Sequence, residues 1–380
     1  AEENKMFPSK GNSSKNSRAR GFLLALILAP VLGYAQLPCM DLSKDGKIII
    51  EMDMGEMRQA FAEIRQSLPT LSKSSDEELA AIMRSMGDDY YWRHDPISSG
   101  SDTGILILAH GTNSPNDELL LEDMRPLSEN YLTGIAFGMS MMTSKHISCG
   151  LNDLRASGAE TIYIVPLAES PDNTLISQWR YAFGLEENYS YAEIEKISRT
   201  NVHFLEPIMD NYYARKIVYD HALEISSNAS NEIVLLVAHG PINSDDNVSL
   251  LKSMTNISEY VKQEAGFYDV IPISLQDDAA REVRAKNVEM LREIVATNTI
   301  EGRQALIVTN LMSSGIIQAR LRDDLAGLEF TFNEKLNDIT RVKNISLIFF
   351  MLALNVINYY KTYYSKNKPT RSKLTIFNKF

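Results

Sequence analysis

Short apolar runs alternate with longer amphipathic segments from residue 103 onward, and this alternation predicts an α/β fold. The runs are nearly continuous stretches of β-branched and aliphatic residues, which is typical of strands in a parallel sheet that helices cover on both faces. The predicted strands are 105–109, 132–137, 161–167 and 201–207 in the first half, and 233–238, 268–274, 305–311 and 328–332 in the second.

The two halves of this pattern resemble each other. Each opens with an apolar run that ends in Ala-His-Gly, at 109–111 and at 238–240, and each continues with three further strands. Self-similarity of this kind indicates an internal duplication. We therefore predict two similar modules, at residues 103–228 and 229–335, packed as one unit.

A small helical segment is expected in front of the modules, at residues 36–102. Residues 54–68 and 74–86 carry apolar side chains at helical spacing, and the second stretch opens with a Ser-Asp cap. The stretch 88–102 contains proline and glycine and is interpreted as a linker.

Both ends of the sequence contain apolar runs next to basic residues, a pattern typical of export signals and membrane anchors. Basic residues followed by the short apolar run GFLLALILAPVLG predict a signal peptide at 1–35, and hence a periplasmic protein or one on the outer face of the cytoplasmic membrane. An apolar run followed by lysines makes residues 336–380 a candidate membrane tether. The run is shorter than an ordinary span, so a buried helix or a frameshifted tail are alternatives.

Composition excludes some classes of function. The net charge of -11 and the pI of about 5.2 argue against nucleic acid as a partner, because phosphate binding needs a basic face. The sequence has no Walker loop, dinucleotide fingerprint or nucleophile elbow, so no nucleotide cofactor is expected. The two cysteines, Cys39 and Cys149, allow one disulfide or two thiols.

The repeated histidines are the main candidates for chemistry. His110 and His239 each end the first strand of a module, and ligands of parallel α/β sheets bind beyond the carboxyl ends of the strands. Gly111 and Gly240 let the backbone turn sharply and leave room for a ligand. The alternative is that each ring only hydrogen-bonds a neighbouring loop.

These motifs resemble a known family. ILILAHGT, followed by LRASGAETIYIVPL and NVHFLEP, is similar to the class II tetrapyrrole chelatases, the sirohydrochlorin cobalt- and ferrochelatases (CbiX/SirB-like). IVLLVAHGP repeats the first of these motifs, and ALIVTNLMSSGIIQARLRDDL resembles the family's third strand and the helix after it. The resemblance covers residues 103–332.

The resemblance implies an activity and a set of site residues. The family inserts a divalent metal, here Co²⁺ or Fe²⁺ as substrate, into a tetrapyrrole, and imidazole near neutral pH serves as both base and ligand. His110 and His239 match the family's first catalytic histidine. A composite metal site would consist of His110, His239, Glu169 and Asp277, and the residues expected to bind the ligand are Gly111, Thr112, Gly240, Ser314 and Gly315.

The chain also departs from the family pattern. Asn173 and Ile317 stand where the family's second histidine is expected. Met139 stands where a glutamate follows the second strand, and Asp277 and Asp278 lie near that place in the second module. Three interpretations therefore remain open: an active chelatase with one composite site, a non-catalytic binder of a tetrapyrrole or a metal, and a structural or partner-binding relic.

Other polar residues have simpler interpretations. Met139, Met141 and Met142 with His146 could hold a soft metal, although methionines at a strand end commonly serve as packing. We expect His203 to lie in the core, because it falls within a strand, and His221 to be exposed on a helix.

Overall fold

The computed structural model describes residues 47–49, 54–93, 101–111, 116–207, 210, 212–312 and 316–332. The predicted signal peptide at 1–35 and the candidate tether at 336–380 lie outside these ranges. None of the helices within the described ranges is long and apolar enough to cross a membrane.

The N-terminal segment contains two helices, as predicted, together with two strands. Its elements are β1 (Lys47–Ile49), α1 (Met54–Ser67), α2 (Asp76–Met86) and β2 (Tyr90–Arg93). A capping box starts α2: the Ser75 hydroxyl accepts from the Glu78 amide at 3.2 Å, and the Glu78 carboxylate accepts from the Ser75 amide at 2.8 Å.

The linker interpretation is wrong for residues 90–93, because β2 belongs to the sheet of the first module. The aromatic residues of β2 explain this, because aromatic side chains favour strands when they pack against neighbouring strands and helices. Tyr91 is fully buried, and its ring occupies the space above Gly134 and Gly150, where a Cβ would lie 2.4 Å and 2.8 Å from Tyr91 atoms.

The first module is a parallel sheet covered by helices, as predicted. Its elements are β3 (Thr103–Ala109), α3 (Asn116–Ser128), β4 (Leu132–Phe137), α4 (Lys145–Ala156), β5 (Thr161–Pro166), α5 (Thr174–Ala182), β6 (Val202–Phe204) and α6 (Tyr212–Ile225). The strands lie in the order β4-β3-β5-β6, and β2 pairs antiparallel with β4, with β1 beyond it at the sheet edge.

The second module repeats this topology. Its elements are β7 (Glu232–Ala238), α7 (Ser244–Ala265), β8 (Asp269–Ser274), α8 (Arg281–Ile300), β9 (Gln304–Thr309), α9 (Ile316–Asp324) and β10 (Thr331–Phe332). The four parallel strands lie in the order β8-β7-β9-β10, which matches β4-β3-β5-β6 strand for strand.

The first strand of each module lies in the middle of its sheet, and all seven residues of β3 and of β7 are buried. The strand ends also correspond. Gly138 N donates to Ala109 O at 2.9 Å in the first module, and Leu275 N donates to Ala238 O at 3.0 Å in the second. The sequence duplication is therefore a duplication of backbone geometry.

The two modules share one core. A single apolar cluster joins strands of both sheets through residues of α3, α6 and α7, including Val218 and Met254. A second cluster joins the outer face of the first sheet to α1 and α2, and a third lies under α8 and α9. One apolar layer is therefore common to both modules.

Two histidines are placed opposite to expectation. His221 is only 7% exposed, because α6 packs between the sheets and against α7. His203 is exposed, because β6 is a short strand at the sheet edge, and its ring stacks on Tyr163 at 5.3 Å.

The cysteines divide between described and undescribed parts of the chain. Cys149 is buried on α4 and is disulfide-bonded. Cys39 lies outside the described residues.

Candidate functional site

His110 and His239 follow equivalent strands and continue with equivalent glycines. His110 comes directly after β3 and His239 directly after β7. The following glycines, Gly111 and Gly240, have φ angles of 78° and 79°. A positive φ of this size suits glycine, so both histidines are presented on the same type of turn.

The glycines are also required by close packing. A Cβ on Gly240 would lie 2.1 Å from Ser274 Oγ and 2.8 Å from Gln276 N, and one on Gly111 would lie 3.3 Å from Phe137 Cβ. In each module the turn after the first strand therefore packs closely against the end of the second strand.

The hydrogen bonds of the two rings define the same tautomer. Nδ1 of His110 lies 2.5 Å from Gly111 O, and Nδ1 of His239 lies 2.9 Å from Gly240 O. A carbonyl oxygen only accepts, so each Nδ1 carries the hydrogen. In the neutral rings Nε2 then holds a free lone pair, as a metal-ligating or basic histidine requires.

The fold brings groups from both modules within electrostatic range of one another. His110 interacts with His239 and with Asp278 of the other module, and His239 interacts with Glu169 of the first module. Four strand ends therefore contribute to one site: those of β3 and β5 in the first module and of β7 and β8 in the second.

The two imidazoles have opposite protonation tendencies. Burial lowers the pKa of His110, and the neighbouring His239 lowers it further, against the opposing effects of the Gly111 carbonyl and Asp278. Burial also acts to lower the pKa of His239, but Asp278, Asp277, the Gly240 carbonyl and Glu169 outweigh it, so the pKa is raised. His110 is thus the neutral ring and His239 the more readily protonated one.

Asp278 rather than Asp277 faces the second histidine. His239 Nε2 lies 3.7 Å from Asp278 Oδ1, and these side chains are 27% and 22% exposed. The Asp277 side chain has no exposed surface and forms an ion pair with Arg284, which also binds Asp324 at 2.6 Å. The structure therefore places the predicted ligand Asp277 behind the site and its neighbour Asp278 in it.

Glu169 is held by Asn173, the residue at the position expected for the family's second histidine. Asn173 Nδ2 donates to Glu169 Oε1 at 2.9 Å, while Asn173 Oδ1 caps α5 by accepting from Leu175 N at 2.8 Å. Burial raises the pKa of Glu169, and the Asn173 hydrogen bond opposes this rise. Asn173 thus acts here as a positioning residue.

A loop after α5 places Tyr191 near the carboxylates of the site, a position that no sequence motif indicated. Tyr191 is fully buried, and burial raises its pKa, with further contributions from Asp278 and Glu169. Its amide donates to Gln178 Oε1 at 3.0 Å, and Gln178 Nε2 donates to Ser140 O at 2.9 Å. The only sequence signal was the aromatic pair in ENYSYAE, which no motif singles out.

The predicted soft-metal set is divided. Met139, Met141 and Met142 line a pocket together with His110. His146 instead lies fully buried on α4, with Nε2 3.4 Å from Ser140 Oγ, and burial lowers its pKa to about 3.

Three predicted ligand-binding residues, Thr112, Ser314 and Gly315, lie outside the described residues. Within the described ranges, no three His, Cys, Asp or Glu side chains lie close enough together to hold a metal ion. Of the four predicted metal ligands, the site contains His110, His239 and Glu169, with Asp278 in place of Asp277.

Comparisons with known proteins find similarity of fold at low identity. No family model matches the chain, and no curated protein matches it. SirB from Bacillus subtilis, solved with Fe³⁺, is 18% identical over 64% of this chain and 92% of its own, with a TM-score of 0.45. DR2241 from Deinococcus radiodurans, a multi-domain protein with structural similarity to chelatases, is 12% identical over 66% of this chain, with a TM-score of 0.41, and 55% of DR2241 is covered.

Proposed function

We propose that the chain binds a tetrapyrrole at the edge shared by its two modules and inserts a divalent metal, Co²⁺ or Fe²⁺, into it. The observation that carries this proposal is the histidine pair: both Nδ1 atoms are held by a carbonyl, no donor among the described residues reaches either Nε2 atom, and the two rings differ in proton affinity. The sequence motifs around both rings resemble those of tetrapyrrole chelatases.

Metal insertion exchanges two pyrrole N–H protons for one divalent cation. We assign the role of metal ligand to His110, because a neutral imidazole with a free Nε2 is a good ligand for such ions. We assign the role of base to His239, because Asp278 at 3.7 Å stabilises the imidazolium that forms. The partly exposed His239 side chain then releases each proton to solvent.

Glu169 and Asp278 would give the entering cation a negative environment. Carboxylates beside a cleft raise the local concentration of cations. Asn173 keeps Glu169 in place, so its substitution is expected to weaken metal capture without removing a ligand.

A second candidate is a non-catalytic binder of a tetrapyrrole or a metal. Asn173 at the position of the family's second histidine, and the lack of a three-ligand group in the described residues, favour this alternative. A single imidazole holds a divalent metal poorly, while several donors hold it well.

One experiment separates the two candidates. Purified protein is incubated with Co²⁺ and one macrocycle, which is sirohydrochlorin in one reaction and mesoporphyrin in the other. The absorbance spectrum of each reaction is followed. Growth of the metallated spectrum above the protein-free rate supports the enzyme. A shifted macrocycle spectrum without metallation supports the binder, and unchanged spectra in both reactions contradict both.

A further inference from the structure

A pocket of ≈ 220 Å³ lies between the N-terminal helices and the first module. Helices α1 and α2 form one wall, and the segment that follows β4 forms the other. Six of the residues that line it are methionines, namely Met57, Met83, Met86, Met139, Met141 and Met142. The chain has 16 methionines in 380 residues, so this lining is strongly enriched in one flexible side chain.

The methionines border an open volume. Methionines that serve only as packing fill the gaps between their neighbours, whereas these six surround space that a ligand could fill. A thioether side chain is polarizable and adapts its shape, and methionine is accordingly common on surfaces that bind apolar partners. The lining therefore indicates an apolar occupant.

The size of the pocket favours an organic group over an ion. A cavity of about 150 Å³ is large enough to hold a benzene ring. A coordinated metal ion leaves no such volume, because its ligands close directly around it. A pocket of ≈ 220 Å³ accommodates one substituted five-membered ring.

His110 connects the pocket with the site of the histidine pair, because it belongs to both. A ligand whose nitrogen atoms approach His110 would therefore extend one edge between the methionines. Helices α1 and α2 precede the duplicated modules, so this wall is an addition to the duplicated unit.

The charged residues of the pocket give an anionic substituent no net attraction. Arg84 is the one arginine or lysine among the described residues that line it, and Asp88 lies in the same lining with the opposite charge. Burial raises the pKa of Asp89, the other acid of the lining, to about 7. Asp89 lies against Gly138, where a Cβ would be 1.9 Å from Asp89 Oδ1. Glu169 and Asp278 lie at the neighbouring histidines, so a ligand with many carboxylates would meet like charge on several sides.

We propose that this pocket is a subsite for an uncharged, alkyl-substituted edge of a planar macrocycle. The chain then prefers a tetrapyrrole with few carboxylates and an apolar edge over one with a carboxylate on every ring. This inference rests on the proposed function. Among tetrapyrroles, it selects macrocycles of the mesoporphyrin type over the octacarboxylate sirohydrochlorin.

The test compares two probe macrocycles. The full chain is titrated with mesoporphyrin, which has two carboxylates and an alkyl edge, and with uroporphyrin, which has eight carboxylates, and binding is followed by quenching of tryptophan fluorescence. We expect mesoporphyrin to bind more tightly. Met83→Gln and Met142→Gln should each weaken mesoporphyrin binding about tenfold, because burying an amide costs free energy that burying a thioether does not.

Two control variants accompany these. Met290 on α8 is 45% exposed, so Met290→Gln tests the same exchange away from the pocket and should leave binding unchanged. Met83→Leu keeps an apolar side chain and should retain mesoporphyrin binding. Thermal unfolding of each variant verifies that it is folded.

The outcomes are separable. Equal or tighter binding of uroporphyrin, or Met83→Gln and Met142→Gln variants that bind mesoporphyrin like Met290→Gln, would overturn the subsite and leave the proposed function standing. If neither macrocycle binds, the subsite is wrong, and the proposed function is wrong as well when the sirohydrochlorin spectrum is also unchanged.

Discussion

The Nε2 atom of His239 lies 3.7 Å from Oδ1 of Asp278, and this carboxylate distinguishes His239 from its structural equivalent His110. The two histidines share a turn, a glycine conformation and a tautomer. The duplication thus provides two copies of one ligand, and the second module adds the charge that makes one copy the stronger base.

Removal of the Asp278 charge should make the two histidines more alike. In Asp278→Asn the pKa of His239 should fall, because Asp278 is the largest of the charges that raise it. The measurement is an NMR titration of the imidazole Cε1–H signals. Asp269→Asn is the control, since Asp269 begins β8 at the opposite end of the same strand and pairs with Lys262. A His239 pKa that is unchanged in Asp278→Asn would refute the pairing.

Gly240→Ala should destabilise the fold more than Gly266→Ala does. Both glycines have a positive φ, 79° and 75°, which costs about 1–2 kcal/mol for alanine. Nothing lies within 4 Å of a Cβ on Gly266, whereas one on Gly240 would meet Ser274 Oγ at 2.1 Å. Overpacking adds about 1–3 kcal/mol, so chemical denaturation should show that additional loss only for Gly240→Ala. Equal losses in the two variants would contradict the close contact.

Asp89→Asn should stabilise the chain at alkaline pH. Burial, with a contribution from Asp88, raises the pKa of Asp89 from 3.8 to about 7. The folded state therefore binds this proton more tightly than the unfolded state, and the stability it provides is lost as pH rises from 3.8 through about 7. Asparagine removes that loss.

The difference in melting temperature between Asp89→Asn and the wild-type chain should grow between pH 5 and pH 8. Asp220→Asn, a surface exchange on α6 where the carboxylate is 58% exposed, should show no such growth. A difference for Asp89→Asn that stays constant with pH would show that Asp89 is ionised throughout.

Much of the fold follows from hydrophobic periodicity. Each of the eight predicted strands overlaps one of β3 to β10. The agreement is best for the central strands β3 and β7, because strands buried on both faces form nearly continuous apolar runs. The repeat of Ala-His-Gly also predicted two equivalent strand ends, and the matching strand orders confirm that equivalence.

What the sequence could not predict depends on contacts between distant segments. Strand β2 depends on such a contact, because the Tyr91 ring packs into the space above Gly134, a residue distant in the sequence. The sequence could not decide between Asp277 and Asp278 either, because the side chains of adjacent residues point in different directions. Only the structure shows that Asp277 forms an ion pair with Arg284. The methionine pocket likewise combines α1 and α2 with the end of β4.

The most direct test of the shared site is a double-mutant cycle of His110→Ala and His239→Ala, measured as the rate of Co²⁺ insertion into mesoporphyrin. If the wild-type chain binds without turnover, the affinity for mesoporphyrin in the presence of Co²⁺ is measured instead. Each single substitution should remove most of the insertion rate, or of the affinity, and the double variant should be little worse. The reason is that the contributions of residues that act as a unit are not additive. Losses that add independently, or a single substitution without effect, would contradict one site built from both modules.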